Sequence, residues 1–427
     1  MKEIFKNIIQ DFHHQDIATF YKRNFQIPTN SGKIVTLIGS RRTGKTFLMY
    51  QIINELIQII PKQSIIYINF EDERLIDENL ELGNIIDAYF ELFPDNKNPL
   101  YLFFDEIQNI AGWEKFVRRM YDNYTKNIFI TGSSSKLLSK EIATSLRGRT
   151  IAYEVFPLSF NEYLSFNKLD ISDLHSTKSK AKIINIFKKY LQLGGFPETV
   201  FMNDEIRKKT LQTYLDVMIY KDIVERYKIT NYTAIKYFIK KAIVNVSNRI
   251  SINKLFNELK SLNIKLSKES LYEYVEFVKD CYLLYFVNIF DLSVIKQSMN
   301  EKKLYCIDNG LINSATFKLS KDYGRLLENL VFMELRRHEY EIYYHSGKFE
   351  CDFIICREQD PFDAIQVVYQ LDEVNKKREM EGLLEALKKY DLVKGTILTM
   401  EQEYNIETEN KTITILPVWK WILHINN

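Results

Sequence analysis

Residues 39–46 read Gly-Ser-Arg-Arg-Thr-Gly-Lys-Thr, a loop whose residue types suit the cradling of a phosphate chain. Gly39 and Gly44 let the backbone bend, so that the N–H groups of Ser40, Arg41, Arg42, Thr43 and their neighbours turn inward on phosphate oxygens. Lys45 is spaced to reach β- and γ-phosphates, and the Thr46 hydroxyl to ligate Mg²⁺. An apolar run, 33–38, precedes the loop, and a helix-like run, 47–53, follows it. The start of that helix adds the positive end of its dipole. Glycine is scarce, 14 residues in 427, so two of them framing this loop point to a bound nucleotide, ATP or ADP.

Hydrolysis needs more than binding. The run Leu100-Tyr101-Leu102-Phe103-Phe104 ends in Asp105-Glu106. A buried strand ending in two acids at the nucleotide edge lets Asp105 hold Mg²⁺ and Glu106 orient the attacking water. A second run, 127–131, ends in Thr131-Gly132-Ser133, and the Ser133 hydroxyl can reach the γ-phosphate or the water. Asn69, Glu71 and Asp72 close another strand at the same rim and read as solvent-exposed.

Strand-like runs at Ile34–Ile38, Ser64–Phe70, Leu100–Phe104, Asn127–Thr131 and Thr150–Phe156 must position these groups. Helical patterns alternate with them, which predicts an α/β unit over 1–156 with a mostly parallel sheet and an amphipathic N-terminal helix. Ligands of such sheets bind at the carboxyl ends of the strands. From 157 to 250 the pattern is helical, broken by Leu193-Gly194-Gly195-Phe196-Pro197. Over 251–315 two amphipathic helices (Ile252–Leu262 and Lys268–Asp280) precede strand-like runs Leu283–Phe290 and Lys303–Ile307, the order of a winged helix. Its second helix carries Lys268 and Lys279 beside Glu269, Glu273, Glu276 and Asp280, an acidic balance that disfavours a major groove. Residues 320–427 read as a second α/β unit, with helix Arg325–His338, strands Glu341–His345, Glu350–Cys356 and Phe362–Tyr369, helix Lys376–Tyr390, strand Gly395–Thr399 and a β-segment Thr412–Leu416.

Composition sets the bounds. Hydrophobic residues at 46% and charged residues at 27% allow several cores across a chain of this length, and a net charge of +2 gives no global pull toward nucleic acid. Cys281, Cys306, Cys351 and Cys356 lack paired C-x-x-C spacing, so no zinc site is expected. No signal-type apolar core opens the sequence and no run of about 18 apolar residues occurs, so the expected setting is cytoplasmic with no membrane segment.

The set Gly39–Thr46, Asp105-Glu106 and Ser133 resembles the Walker A, Walker B and sensor-1 motifs of AAA+ and STAND ATPases. The stretches 133–138 and 146–149, with Phe156-Pro157-Leu158, are similar to the prokaryotic archaeal-type ATPases, a group with a nuclease-like C-terminal domain. The resemblance implies that Arg147 or Arg149 answers the γ-phosphate, from the same chain or a neighbour in an oligomer. Gly195-Phe196-Pro197 resembles the STAND G-x-P signature, which implies Pro197 on the adenine. It also implies a nucleotide-driven switch, with a nucleic acid or a protein as partner.

For residues 320–427 the resemblance implies a PD-(D/E)XK nuclease-like fold. Glu328, Asp352 and Gln366 then take the positions of the metal-holding residues, and a lysine is expected two residues after Gln366. Position 368 is Val368, which cannot assist water, and Gln366 is neutral, so a degenerate site is expected. Lys348 is a candidate substitute for the missing lysine. An ATP-gated nuclease and an ADP-locked scaffold are the rival readings.

Overall fold

Strands buried on both faces read as unbroken apolar runs, and the first sheet is built of such strands. The computed structural model describes residues 2–17, 20–75, 80–132, 146, 148–169, 176–315 and 322–425. β1 (Ile34–Ile38) is buried at every position, as is β4 (Ile128–Thr131), while β2 (Ile65–Asn69) and β3 (Tyr101–Asp105) are buried at all but one. With β5 (Thr150–Glu154) they form a five-stranded sheet of order β2-β3-β4-β1-β5, every neighbouring pair parallel. Helix Lys45–Leu56 lays Leu48, Met49, Ile52 and Ile53 on Val35, Leu37, Phe103 and Phe129. The rings of Phe103 and Phe129 stack at 4.6 Å. Helix Lys2–His14 buries Phe5, Ile8 and Ile9 and packs on helix Asn84–Leu92. Because all five strands run the same way, the ends of β1, β3 and β4 meet at one edge.

The chain divides into two compact units, 1–156 and 157–427. The second begins with helices. Phe160–Phe166 opens on a capping box in which Ser159 and Glu162 satisfy each other's backbone N–H groups. Helices Thr177–Leu193, Asp204–Val217 and Tyr232–Val244 follow, and the second of these runs on as a π-helical stretch, Met218–Glu225. Helices Ile252–Ser261 and Lys268–Asp280 are capped by Ser251 and Ser267. Beside them lies an antiparallel sheet of order β6-β8-β7, from β6 (Arg249–Ile250), β7 (Leu284–Val287) and β8 (Lys302–Cys306).

After helix Tyr323–Arg337 comes a six-stranded mixed sheet of order β13-β14-β12-β11-β10-β9. β9 (Glu341–Ser346), β10 (Glu350–Arg357) and β11 (Asp360–Val367) are antiparallel. β12 (Lys394–Thr399) is parallel to both β11 and β14 (Lys411–Pro417), and β13 (Tyr404–Thr408) is an antiparallel edge. Helix Lys376–Lys389 supplies Leu383, Ala386 and Leu387 to the core of this sheet.

Several elements differ from the sequence reading. The third strand is displaced by one residue, because Asp105 pairs with Asn69 and its carbonyl accepts the Phe70 N–H at 2.9 Å. The β7–β8 connection holds a short helix, Val294–Met299, where a plain hairpin was expected. The sequence ends in an unexpected helix, Val418–Ile425: Pro417 withdraws an N–H from the ladder, and Val418, Trp419, Ile422 and Leu423 share one buried face.

Candidate functional site: a phosphate loop and a buried ion cluster

The loop after β1 takes the conformations its glycines predict. Gly39 has φ +133°, and a Cβ there would run into the Val155 carbonyl oxygen. Gly44, at φ +95°, precedes the first turn of helix Lys45–Leu56. Arg42 also has positive φ, +66°. Ser40 and Thr43 are fully buried, and the Thr43 hydroxyl donates to the Ser40 carbonyl at 3.0 Å. The Lys45 ammonium is folded into the loop, 3.0 Å from the Gly39 carbonyl and 2.9 Å from that of Ser40. Arg41 reaches outward to Glu71, 3.3 Å away.

Asp105 is 1% exposed and sits at the convergence of three elements. The Thr46 hydroxyl donates to its Oδ2 at 2.7 Å and Tyr67 to the same oxygen at 3.1 Å, while Thr131 donates to Oδ1. Burial pushes the Asp105 carboxyl up, and the hydroxyls of Thr131 and Thr46 work against that shift. Burial first, then Asp105 beside it, keeps the Tyr67 phenol protonated. Glu106 turns out of the strand at φ +51°, its N–H held by Thr131 Oγ1 at 2.9 Å and its carboxylate by Gln108. Thr46 and Asp105 are therefore juxtaposed as an oxygen pair suited to a hard cation such as Mg²⁺.

Behind the loop, the buried Arg23 guanidinium donates to the Thr43 carbonyl at 2.9 Å and to the Phe156 carbonyl at 3.1 Å. Its backbone N–H is held by Gln51 Oε1 at 2.8 Å. Tyr67, Thr131 and Arg23 all escaped the sequence reading. For Tyr67, a tyrosine among the isoleucines of its strand, two residues short of the end, was the available signal.

Ser133 and Arg147 lie outside the described residues. Arg149 pairs with Asp122 at 3.0 Å. Pro197 opens a short 3-10 turn in the second unit. Of the preceding glycines, Gly195 is held by Asp308, which accepts its N–H at 2.6 Å and also that of Gly310 at 2.7 Å. A Cβ on Gly194, at φ +76°, would strike the Asp308 carboxylate.

Glu328 and Asp352 do come together, 9% and 6% exposed. Between them lies a residue the sequence reading did not single out, Lys303 of β8, 2.6 Å from Asp352 Oδ1 and 2.9 Å from Glu328 Oε1. Glu350 joins at 2.9 Å. The Gln366 side-chain amide oxygen accepts the Asp352 N–H at 3.1 Å and its amide nitrogen donates to Glu379, so Gln366 braces a backbone and bonds neither Lys303 nor the other acids around it. Val368 is buried in the apolar core, and Lys348 lies over the Phe349 ring. A charged residue alternating with Tyr305 on a buried strand was the readable signal for Lys303. Among the described residues no group of three or more His, Cys, Asp or Glu is arranged to hold a metal ion, and the four cysteines are buried thiols.

The parallel sheet, the loop and the buried Asp105 define a P-loop nucleotide-binding protein, and a profile of the AAA domain matches residues 31–164. Two domains of unknown function follow, DUF8612 over 184–322 and DUF4143 over 323–421. The chain is 42% identical to the uncharacterised protein MJ1544 of Methanocaldococcus jannaschii, over 99% of this chain and 96% of that one. It belongs to the same family as MJ1544. An uncharacterised protein of Haemophilus influenzae is 29% identical over 91% of this chain and 94% of its own. A solved structure of Drosophila ORC bound to AT-rich DNA and Cdc6 covers 73% of this chain and 90% of its own at 10% identity; its TM-score of 0.21 is too low to bear on function.

Proposed function

We propose that this chain is a Mg²⁺-dependent ATP-binding and hydrolysing ATPase of the AAA+/STAND type, a nucleotide-controlled switch on a protein or nucleic acid partner. The observation that carries this reading is the 2.7 Å bond between Thr46 and Asp105, which brings the two expected metal-holding oxygens together at the phosphate loop. Magnesium, when bound with ATP, supplies charge neutralisation on the phosphates.

The protein's own residues divide the rest of the work. Lys45 exchanges the two carbonyls it now holds for the terminal phosphates. Thr131 fixes Asp105 through its hydroxyl and Glu106 through the backbone, so the two carboxylates are set by one side chain. Glu106 then accepts a hydrogen bond from the attacking water and aligns it with the γ-phosphate. Ser133 and Arg149 are assigned, in this reading, to the γ-phosphate itself.

Helices Ile252–Ser261 and Lys268–Asp280 with the antiparallel β7–β8 pair support a winged-helix reading of that segment. Tyr227 bonds Asp280 at 2.7 Å and Lys279 bonds Glu276 at 2.9 Å, so the acidic second helix is engaged within its own unit. That favours a protein partner over duplex DNA for this element.

The test is phosphate release from Mg-ATP by the purified protein, with and without duplex DNA, against Lys45→Ala as the blank. Turnover above the blank and indifferent to DNA supports an ATPase switch with a protein partner. Turnover that rises with DNA assigns the partner as nucleic acid, and turnover equal to the blank overturns the hydrolytic reading.

A further inference from the structure

Lys303 belongs to β8, yet its side chain ends among acids of the next domain. Its ammonium lies 2.6 Å from Asp352 Oδ1, 2.9 Å from Glu328 Oε1 and 2.9 Å from Glu350 Oε1, and its side chain is 2% exposed. An ammonium has three N–H donors, and three carboxylate oxygens satisfy all of them. The acids come from helix Tyr323–Arg337 and from β10. Each acid has a further partner. Asp352 Oδ2 accepts the Val367 N–H at 2.8 Å, Glu328 Oε1 accepts Tyr305 at 2.8 Å, and Glu350 Oε2 faces Arg249 at 3.2 Å.

The centre of the cluster is already held by a cation. Burial opposes the Lys303 charge, but Asp352, Glu328 and Glu350 outweigh it and hold the ammonium well above the ordinary lysine range. Burial, then Asp352 alongside, raises the Glu328 carboxyl, and the Lys303 ammonium opposes that shift. Two cations, Lys303 and Arg249, thus stand among the three carboxylates. A divalent cation at the same oxygens would lie against the buried Lys303 ammonium, a like-charge contact that is strongly unfavourable in such a site.

We propose that Lys303 is the resident cation of this acid cluster, standing where a divalent metal would sit. The C-terminal domain is thereby a metal-free, non-cleaving module, pinned to the preceding three-stranded sheet by one buried ion. This inference is independent of the ATPase reading, because every group in it lies in residues 249–367.

The experiment is a Mn²⁺ titration of the full chain without nucleotide, read by electron paramagnetic resonance, for wild type, Asp352→Asn, Lys303→Ala and the double variant. Wild type and Asp352→Asn should bind Mn²⁺ indistinguishably. Lys303→Ala should gain one site at least tenfold tighter than any in wild type, and the double variant should lose it. A wild-type Mn²⁺ site abolished by Asp352→Asn overturns the proposal, as does Mn²⁺-dependent DNA cleavage by wild type that Asp352→Asn abolishes. A folded Lys303→Ala that gains no site overturns the claim that Lys303 excludes a metal. If Lys303→Ala fails to fold by circular dichroism, the wild type and Asp352→Asn pair decides: an unchanged titration supports the proposal and a lost site refutes it.

Discussion

The hydroxyl of Thr46 donates to Asp105 Oδ2 at 2.7 Å across a separation of 59 residues. Thr46 stands in the first turn of the helix after the loop, and Asp105 is the last residue of β3. Parallel strands place β1 and β3 ends at one edge, which is what allows so distant a pair to touch. Binding and hydrolysis should therefore be separable by substitution on the two sides of this contact.

Lys45→Ala removes the charge that faces the phosphates and should abolish tight ATP binding, measured by equilibrium dialysis. Glu106→Gln keeps the shape of the site and should bind ATP normally. Its turnover should fall by about 10²- to 10⁴-fold, the usual contribution of a group that handles the reacting water's proton. Equal loss of binding in both variants would refute the division of roles.

Tyr67→Phe deletes one of three hydrogen bonds to Asp105 without opening a cavity. The Mg²⁺ concentration for half-maximal turnover should rise about fivefold, the worth of one hydrogen bond near 1 kcal/mol, with ATP affinity nearly unchanged. A Mg²⁺ titration of phosphate release reads both. An unchanged Mg²⁺ requirement would make Tyr67 a packing residue only.

Arg23→Ala removes the guanidinium that donates to the Thr43 and Phe156 carbonyls. Denaturant unfolding should show a loss of about 2–4 kcal/mol, and nucleotide affinity should weaken with it. Arg23→Lys should recover little, because one ammonium does not span two carbonyls as the planar guanidinium does.

Asp308 provides a pH signature. Burial pushes its carboxyl up to about 6, from an ordinary 3.8, against the opposing N–H groups of Gly195, Gly310 and Leu311. The folded state then holds the proton more tightly than the unfolded state, so this group's contribution is fully present at low pH. It is lost as pH rises from about 4 to about 6, and is constant above. Relative to Asp308→Asn, wild-type stability should fall across that window by up to about 3 kcal/mol, measured by urea midpoints at each pH. A flat difference would mean the carboxyl is not raised.

Much of the first unit was legible because its signals are local. A strand buried on both faces must be apolar throughout, and a loop that wraps phosphate needs glycine where φ is positive, so β1, Gly39, Gly44, Lys45 and Thr46 announce themselves. The register of β3 was read one residue early, because its end is set by pairing with Asn69 on another strand. The closing helix Val418–Ile425 was missed because its apolar face is defined only by the sheet it covers.

By itself, then, the sequence determined the parallel sheet, the phosphate loop and the two acids at the end of β3, all of which depend on short-range pattern and backbone sterics. Tertiary structure alone decided which groups surround those acids, and where the lysine of the C-terminal domain comes from. Val368 occupies the position where a lysine was sought, and Lys303, on a strand of a different sheet, supplies the charge. No spacing rule connects residues 303, 328, 350 and 352. They meet because buried charges must find partners, and the fold is the only thing that brings these together.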